Sequence, residues 1–408
     1  MKPLNIAIVV GSFPTVSETF IVSNIIYAIR QGFNVKIFCD KYLGLSNSSQ
    51  EDELQQYQIK QNIFPPIKPK KKIFAQFIQL SSFLLNPRNV YFTFKYRAYK
   101  PKGFLKCAFI LKQYEHVGYR QVFHVHFNNA LQTLVDIAEI GYINPSVIIT
   151  FHGYDAFLET EESFQSKYGA FYKKYVKVVT VNSNYLKKAV LNLGVKEQLI
   201  SVVPIGFNKA IFSGTPKKII TNQQIEILTV GRLVQLKGHL YGLKAIKRLK
   251  DKGCNVHYTI IGEGPERANL ENGIKSLGIE EYVTFTGVAS QEQVKSFMEK
   301  SHIFLMTSTF DDVSKRREAF GLVSVEAQAM GLPVIGFKSG GFPDTIIEGK
   351  TGFAVEDRND KDLTDKTLQL IENPNVYQTM SKAAIHHSAA FGQKFTTQQY
   401  LNLYEALA

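Results

Sequence analysis

The sequence predicts an α/β protein composed of two doubly wound domains, and three observations favour this class. Short apolar runs rich in Val and Ile alternate with longer helical patterns, which is typical of parallel strands buried on both faces. The segment 204–224, rich in Pro, Gly and polar residues, interrupts the alternation, which then restarts. A chain of 408 residues also has room for two domains of about 150–200 residues each.

The first half of the chain contains a series of candidate strands. A helical pattern from about Ser17 to Gln31 follows the first of them and ends at Gly32, a residue type favoured just beyond a helix. The strands are NIAIVVG (5–11), NVKIFCD (34–40), VFHVHF (122–127), SVIITF (146–151), VKVVTV (176–181) and LISVVP (199–204).

The second half repeats the pattern, with a helix expected from about Gly238 to Lys252 and three helical stretches at the end of the chain. The strands are IEILTVG (225–231), VHYTIIG (256–262), YVTFTG (282–287), HIFLM (302–306) and PVIGF (333–337). We therefore expect two Rossmann-like domains, residues 1–204 and 205–385, facing one cleft. Residues 386–408 are expected to form a helix that returns to the first domain.

Composition and termini favour a cytoplasmic protein. Cys39, Cys107 and Cys254 are scattered singly, which argues for a reducing compartment and against structural zinc. The N-terminus has one lysine followed by LNIAIVVG, which is too short for the apolar region of a signal peptide. No uninterrupted apolar run in the sequence approaches the ~20 residues of a membrane-spanning helix.

The net charge of +13 comes from one segment, residues 68–112, which holds eleven Lys or Arg and no Asp or Glu. The remainder has 37 basic and 35 acidic residues. Because lysines, aromatic rings and a helical apolar pattern are interleaved here, we expect peripheral attachment to an anionic membrane, the inner face of the plasma membrane. One alternative is an ordinary core with a solvated basic rim. Nucleic acid is disfavoured because no RNA-binding signature or DNA-reading helix accompanies the segment.

The stretch REAFGLVSVEAQAMGLP (317–333) carries two acids, Glu318 and Glu326, among apolar and small residues. It follows a strand and a polar loop, so Glu318 is expected in the loop and Glu326 about one turn inside a helix. Buried carboxylates are costly unless something polar meets them. The backbone at Phe320–Leu322 would form the helix N-terminus, which favours an anion. A sugar nucleotide, with its hydroxyls and diphosphate, fits this arrangement.

These acids also form an E-x7-E motif with a matching context. The accompanying stretches are FHGYD (151–155), VGRLVQLKG (230–238), IIGEGP (261–266) and AQAMGLPVIGFKSGGFPDTIIEGKTGF (327–353). In this order and spacing they resemble glycosyltransferase family 4, the retaining transferases of GT-B architecture. FPTVSETFI (13–21) resembles a subset that builds exopolysaccharides such as colanic acid.

The resemblance implies a donor site formed mainly by the second domain. Arg232 and Lys237 would hold the diphosphate and stabilise the charge on the leaving group; solvated charges at a helix start are the alternative. Glu318 would bind sugar hydroxyls and Glu326 the ribose, or Glu326 would only cap its helix. The remaining donor contacts implied are Gly11, Ser12, Gly262, Gly264, Val288 and the backbone of Phe320, Gly321, Leu322 and Val323. Many members have two glycines where this chain has Gly11 and Ser12.

In the first domain the resemblance places His152 beside the transferred sugar, so the expected catalytic residues are His152, Arg232, Lys237 and Glu318. His126 and Glu18 are expected acceptor contacts, although Glu18 is equally typical of a first-turn helix acid. We interpret His124 and His126 as lining of the cleft and not as metal ligands. The adjacent Asp311 and Asp312 are expected in a solvated loop. No cofactor is expected, because the nucleotide sugar is a substrate. No metal is expected either, because the resemblance implies an architecture that uses helix N-termini and cations in its place.

The function that follows is a retaining glycosyltransferase that moves a hexose from a nucleotide sugar, UDP favoured over GDP, to a saccharide or lipid-linked acceptor. The product would belong to a cell-surface polysaccharide or glycolipid. The family's front-face mechanism uses the leaving phosphate to help deprotonate the acceptor. Two other classes stay open: a related UDP-sugar 2-epimerase, and a non-enzymatic basic scaffold that binds anionic surfaces.

Overall fold

The computed structural model describes residues 4–15, 18–118, 121–220 and 223–407. These residues divide into two units. The first unit comprises Met1–Val181, Lys188–Val202 and Thr397–Ala408, and the second comprises Asn182–Lys187 and Val203–Thr396. The expected linker, 204–224, therefore lies at the start of the main segment of the second unit.

The described part of the first unit contains a seven-stranded sheet in the order β3-β2-β1-β4-β5-β6-β7, and all of its pairings are parallel. Its strands are β1 Asn5–Phe13, β2 Asn34–Tyr42, β3 Ile63–Phe64, β4 Val122–His126, β5 Ser146–Phe151, β6 Val176–Val181 and β7 Ile200–Val202. The order reverses at β1, which pairs with both β2 and β4. In open parallel sheets ligands bind beyond the carboxyl ends of the strands at such a reversal.

The second unit contains, within the described residues, a six-stranded parallel sheet in the order β10-β9-β8-β11-β12-β13. Its strands are β8 Ile225–Val230, β9 Val256–Ile261, β10 Val283–Gly287, β11 Ile303–Met306, β12 Val334–Phe337 and β13 Gly352–Val355. Here the order reverses at β8, between β9 and β11. The two units thus each have the doubly wound architecture predicted from the alternating pattern.

Helices connect the strands in both units. They are α1 Thr19–Arg30, α2 Glu51–Gln56, α3 Ile73–Leu84, α4 Pro87–Tyr99, α5 Phe104–Gln113, α6 Gln132–Glu139, α7 Glu161–Tyr175, α8 Asn184–Leu191, α9 His239–Asp251, α10 Arg267–Leu277, α11 Gln291–Lys300, α12 Leu322–Ala329, α13 Asp360–Glu372, α14 Pro374–Ser388 and α15 Gln393–Leu407. None of the described helices combines the length and the hydropathy needed to cross a bilayer.

The end of α15 packs into the first unit, as the sequence predicted for the last helix. Tyr404 places its hydroxyl 2.6 Å from Nδ1 of His124 on β4, and Thr397 donates to Asn24 of α1 over 2.8 Å. Tyr400, Leu401 and Tyr404 are buried. Burial of these large side chains and two polar contacts explain why the terminal residues return to the first sheet.

The structure corrects two details at the start of the chain. The first strand was expected to span residues 5–11, but β1 continues to Phe13, because Ser12 pairs with Lys41 and Phe13 with Tyr42 on β2. The helix expected from Ser17 begins at Thr19, and Ser17 itself lies outside the described residues. The short strands β3 and β13 were not predicted from the sequence.

Candidate active site

The turn that carries Lys237 follows β8 and is anchored to the end of β11. The hydroxyl of Thr307 donates to the Lys237 carbonyl over 2.8 Å, and the Thr309 amide donates to Leu236 over 2.9 Å. Gly238 has φ +59°, and a Cβ there would lie 2.1 Å from the Thr307 carbonyl oxygen. Only glycine fits this close approach, so the backbone of Lys237 is held in one position.

The loop that carries Glu318 is held by the residues after β12. The Gly341 amide donates to the Glu318 carbonyl over 2.9 Å, and a Cβ at Gly340 (φ +61°) would lie 2.0 Å from that same oxygen. Arg317 donates to Ser339 over 2.7 Å and forms an ion pair with Asp357. Sequence reasoning assigned no role to these supporting residues, although the glycine pair in KSGGFPD was visible.

Lys237 and Glu318 meet directly: Nζ of Lys237 forms an ion pair with Oε2 of Glu318. Their side chains are only 18% and 19% exposed. Burial acts to raise the pKa of Glu318, but Lys237, Arg232 and Arg316 together hold it below its usual value. Glu318 is therefore ionised at neutral pH. Arg232 is exposed and close enough to contribute to this effect.

Glu326 is in the opposite electrostatic situation. It lies in α12 and is 9% exposed, and its carboxylate accepts no hydrogen bond from any group in the described ranges. Burial alone raises its pKa to about 7. A carboxylate desolvated in this way is unfavourable unless polar groups from elsewhere approach it.

The N-terminus of α12 lies between these two acids in the sequence. Gly321 (φ +92°) is its N-cap residue, and no side chain of the described residues caps this end. Leu322 and Val323 are half-buried, while Phe320 is buried and packs against Phe391 with ring centroids 5.9 Å apart. The first amides of a helix lack intrahelical partners, so this end is suited to an anion.

Gly262 and Gly264 are explained by packing within the unit. A Cβ at Gly262 (φ +144°) would lie 2.0 Å from the Gly231 carbonyl oxygen, and one at Gly264 (φ +159°) would lie 2.4 Å from that of Leu233. These glycines allow the loop after β9 to support the loop that carries Arg232. Their contact with a nucleotide, and the backbone contact at Val288, stay predictions. The Val288 side chain is 80% exposed just after β10.

In the first unit, His152 follows β5 and contacts His126 of β4. Nε2 of His152 lies 3.0 Å from Nδ1 of His126, so one ring donates and the other accepts. The rings of Phe20 and Phe127 lie 4.8 Å and 4.5 Å from the ring of His152. Burial lowers the pKa of both histidines, that of His126 to about 3. Both rings are therefore neutral near pH 7.

Asp155 positions the turn that carries His152, and sequence reasoning missed it although it is the last residue of FHGYD. Its carboxylate is 2% exposed and accepts from the amides of Asn128, His152 and Gly153 over 3.0, 3.1 and 3.0 Å. It thereby ties the end of β5 to the residues that follow β4.

Other first-unit residues are placed as follows. His124 does not line a cleft as expected: it is fully buried, and its two ring nitrogens contact Tyr404 and Thr150, each over 2.6 Å. The physical reason is that α15 covers it. His126 is only 1% exposed. Glu18 is the N-cap residue of α1 rather than part of its first turn, and a Cβ at Gly11 would meet open space.

Asp311 and Asp312 lie in a loop whose residues 312–315 are exposed, and this loop also has internal contacts. Asp312 pairs with Arg358 over 2.8 Å, and the amide of Asp311 donates to the Arg316 carbonyl over 2.9 Å. Within the described ranges, no group of three or more His, Cys, Asp or Glu side chains is arranged to hold a metal ion.

Comparison with known proteins supports the resemblance drawn from the motifs. Residues 215–387 match the family described as glycosyl transferases group 1. This match spans most of the second unit. The resemblance to glycosyltransferase family 4 drawn from the motifs is therefore confirmed.

Two relatives and one solved structure are similar over most or all of the chain. The chain is 24% identical to the amylovoran biosynthesis glycosyltransferase AmsK of Erwinia amylovora, over 97% of this chain and 98% of AmsK. It is 24% identical to the putative colanic acid biosynthesis glycosyltransferase WcaL of Escherichia coli K12, over 70% of each. The crystal structure of Anabaena Alr3699/HepE with UDP-glucose superposes with a TM-score of 0.69 at 18% identity, covering 99% of this chain and 100% of HepE. The GT-B fold predicted from the sequence is confirmed.

The buried histidine pair predicts a marked loss of stability in acid. The unfolded chain protonates a histidine near pH 6.5, whereas the folded chain excludes the proton from His126 down to about pH 3. Stability is thus present above pH 6.5 and is lost as the pH falls toward 3, by about 2 kcal/mol at pH 5 for this residue. Urea unfolding of His126→Asn at about pH 7 and about pH 5 should show a correspondingly smaller difference than the wild-type chain. The exposed His116→Asn is the control, and an unchanged difference in His126→Asn would contradict the expectation.

Proposed function

We propose that this group 1 glycosyltransferase is a retaining hexosyltransferase that uses a UDP-sugar and acts in the synthesis of a cell-surface polysaccharide or glycolipid. The observation that carries the proposal is Glu326, a buried carboxylate without a partner among the described residues, a short way along the helix that Gly321 starts. Ribose hydroxyls are donors that would satisfy this carboxylate. The uncapped amides of Leu322 and Val323 would then receive a phosphate.

The ion-paired residues Lys237 and Glu318 suit the two other parts of the donor, its diphosphate and its sugar. We assign Lys237, together with the exposed Arg232, to the diphosphate, where the two cations would stabilise charge on the leaving UDP. We assign Glu318 to hydroxyls of the sugar, because it is held ionised and is therefore a strong acceptor. Val288, Gly262 and Gly264 are assigned to the nucleotide by family resemblance. The same resemblance assigns the second unit to the donor and the first unit to the acceptor.

The proposed reaction exchanges one bond at the anomeric carbon. The bond from C1 to the phosphate oxygen breaks, an acceptor hydroxyl oxygen bonds to C1 on the same face, and its proton passes to the leaving phosphate. His152 is neutral and is assigned a hydrogen bond to the transferred sugar, while Asp155 positions its turn. Glu18, His126, Gly11 and Ser12 keep their predicted ligand contacts as proposals. For His126, with its Nδ1 on His152, the contact requires a rearrangement of that pair.

The donor class rests on HepE, whose crystal structure holds UDP-glucose, and the product class rests on the names of AmsK and WcaL. The test is a screen of UDP- and GDP-hexoses for slow hydrolysis without acceptor, followed by NMR of the released sugar. We expect UDP release from one UDP-hexose, with the α-configuration seen first, and no change when EDTA is added, since the cations of the site are Lys237 and Arg232. Release of a 2-epimerised sugar would indicate an epimerase instead. No turnover of any sugar nucleotide, or inhibition by EDTA that metal reverses, would contradict the proposal.

A further inference from the structure

Helix α3 of the first unit presents an apolar face to solvent. Its exposed side chains include Ile73, Phe74, Phe77, Ile78 and Leu85, the last just beyond the helix, which are 68%, 74%, 47%, 58% and 83% exposed. Residues with this spacing share one side of a helix. The opposite side carries the buried Leu80 and Phe83, so the helix already has its core contacts. A single exposed apolar residue needs no explanation, but a clustered set does.

A run of lysines precedes this helix in the chain. Gln76 and Gln79 of α3 donate to the carbonyls of Lys70 and Lys68 over 2.7 and 3.1 Å, which fixes the KPKKK segment along the start of the helix. The side chains of Lys68, Lys70, Lys71 and Lys72 are exposed. None of these four forms an ion pair with a carboxylate in the part of the chain that the structure describes.

The next helix, α4, also exposes aromatic and basic side chains. In α4, Tyr91, Phe94 and Tyr99 are 60%, 55% and 47% exposed, and exposed Lys95 and Arg97 lie among them. Not all of the basic residues are available, however. Lys100 is paired with buried Asp136 over 2.6 Å, and Lys112 donates to the Gln79 carbonyl over 2.7 Å, so these two belong to the fold.

We propose that α3 and the 68–72 lysines dock this protein on the surface of an anionic lipid bilayer. The phosphate headgroups would pair with the lysines while Phe74, Phe77 and their neighbours enter the boundary between headgroups and acyl chains. The charge argument is local, because residues 68–112 contain no acid to oppose it. The exposed apolar face argues against the alternative of an ordinary core with a solvated basic rim, because in that case the aromatic residues would point inward. It also disfavours nucleic acid, which has no apolar layer to receive α3. The inference does not depend on the donor sugar.

Cosedimentation of the full chain with vesicles tests the charge component. Phosphatidylcholine vesicles with phosphatidylglycerol should bind the wild-type chain, and pure phosphatidylcholine vesicles should bind it much more weakly. Changing Lys68, Lys70, Lys71 and Lys72 to Gln should weaken binding at least about tenfold, since each basic residue near an anionic surface contributes appreciably. The matched control changes the same number of exposed lysines in the second unit, Lys252, Lys275, Lys350 and Lys382, to Gln. It should retain binding although its net charge falls equally.

Insertion of the apolar face is tested with tryptophan, which the sequence lacks. Phe77→Trp therefore introduces a single reporter, and its emission should shift to the blue and be quenched by brominated lipid on anionic vesicles. Phe395→Trp, at a 57% exposed position of the second unit, should show neither effect. Phe74→Ser with Phe77→Ser should also release the protein from vesicles, and both positions are exposed, so folding should be retained.

Three results would overturn the proposal: no binding to anionic vesicles at low salt, equal loss of binding in the second-unit lysine control, or a Phe77→Trp emission that vesicles leave unchanged. Binding of the 68–72 lysines to duplex DNA or single-stranded RNA, with vesicle binding indifferent to Phe74 and Phe77, would assign the surface to nucleic acid instead. Sugar-nucleotide hydrolysis in solution, measured on the same variants, should be unchanged. Failure of docking is therefore distinguishable from failure of the proposed activity.

Discussion

Lys237→Ala and Glu318→Gln are each expected to reduce turnover of the donor at least about hundredfold while the protein stays folded. Removing one group aimed at charge that develops in a transition state typically costs about 10²–10³ in rate. Lys237 is the cation proposed for that purpose, and its backbone is held by Thr307. In the proposed site, Glu318→Gln would lose the charge assigned to binding sugar hydroxyls. The measurement is release of UDP under single-donor conditions, with circular dichroism and urea unfolding as the check on folding.

Because the two side chains form an ion pair, each single change leaves the other one without its partner. A buried charge that loses its partner is destabilising, so Lys237→Ala alone can lower stability. The double variant removes both charges and should recover stability but not turnover. Lys252→Ala and Glu280→Gln, at exposed positions in the same unit, are matched controls and should behave as wild type. Near-normal turnover in either site variant would reject the assigned roles.

Glu326→Gln is expected to stabilise the protein above neutral pH and to impair binding of the nucleotide sugar. The folded-state pKa of Glu326 is raised to about 7, so its contribution to stability is present below pH 4.5 and is lost as the pH rises through 7. At about pH 8 the ionised side chain costs up to about 3 kcal/mol relative to a neutral one. Glutamine has nearly the same shape without this cost. Urea unfolding should therefore favour the variant at pH 8, and the difference should shrink at pH 5.

The binding half of this prediction concerns the ribose. Hydrogen bonds to a charged acceptor are worth about 1.5–3 kcal/mol, so affinity for UDP-glucose should fall about tenfold or more in Glu326→Gln. Binding should also release a proton from wild type near pH 7, because ribose donors favour the ionised carboxylate. Calorimetry in buffers of different ionisation enthalpy detects that proton, and the variant should not show it. If Glu326→Gln is stabilised but binds UDP-glucose normally, the raised pKa reflects burial alone, and Glu326 is not part of the proposed site.

The sequence by itself determined the fold class and family of this protein. Strands buried on both faces must be apolar throughout and must alternate with helices, so IEILTVG and HIFLM were recognisable without coordinates. The E-x7-E spacing, together with VGRLVQLKG and FHGYD, identified the family because these are local patterns whose order along the chain is enough. Short or edge elements were not predicted. For example, β3 is two residues long and carries too little pattern to be distinguished from a loop.

Tertiary structure decided which residues meet. Lys237 and Glu318 are 81 positions apart, and only the parallel pairing of β8 with β11 brings the ends of those strands together. The same holds for His126 of β4 and His152, which follows the adjacent strand β5. It also holds for His124, which contacts Tyr404 of α15 at the far end of the chain. The exposed face of α3 was likewise undecided by sequence, since an apolar helical pattern predicts a buried side without saying whether a second apolar side remains in solvent. Burial and pairing of this kind depend on contacts between distant segments, and the local spacing of residues in the sequence does not predict such contacts.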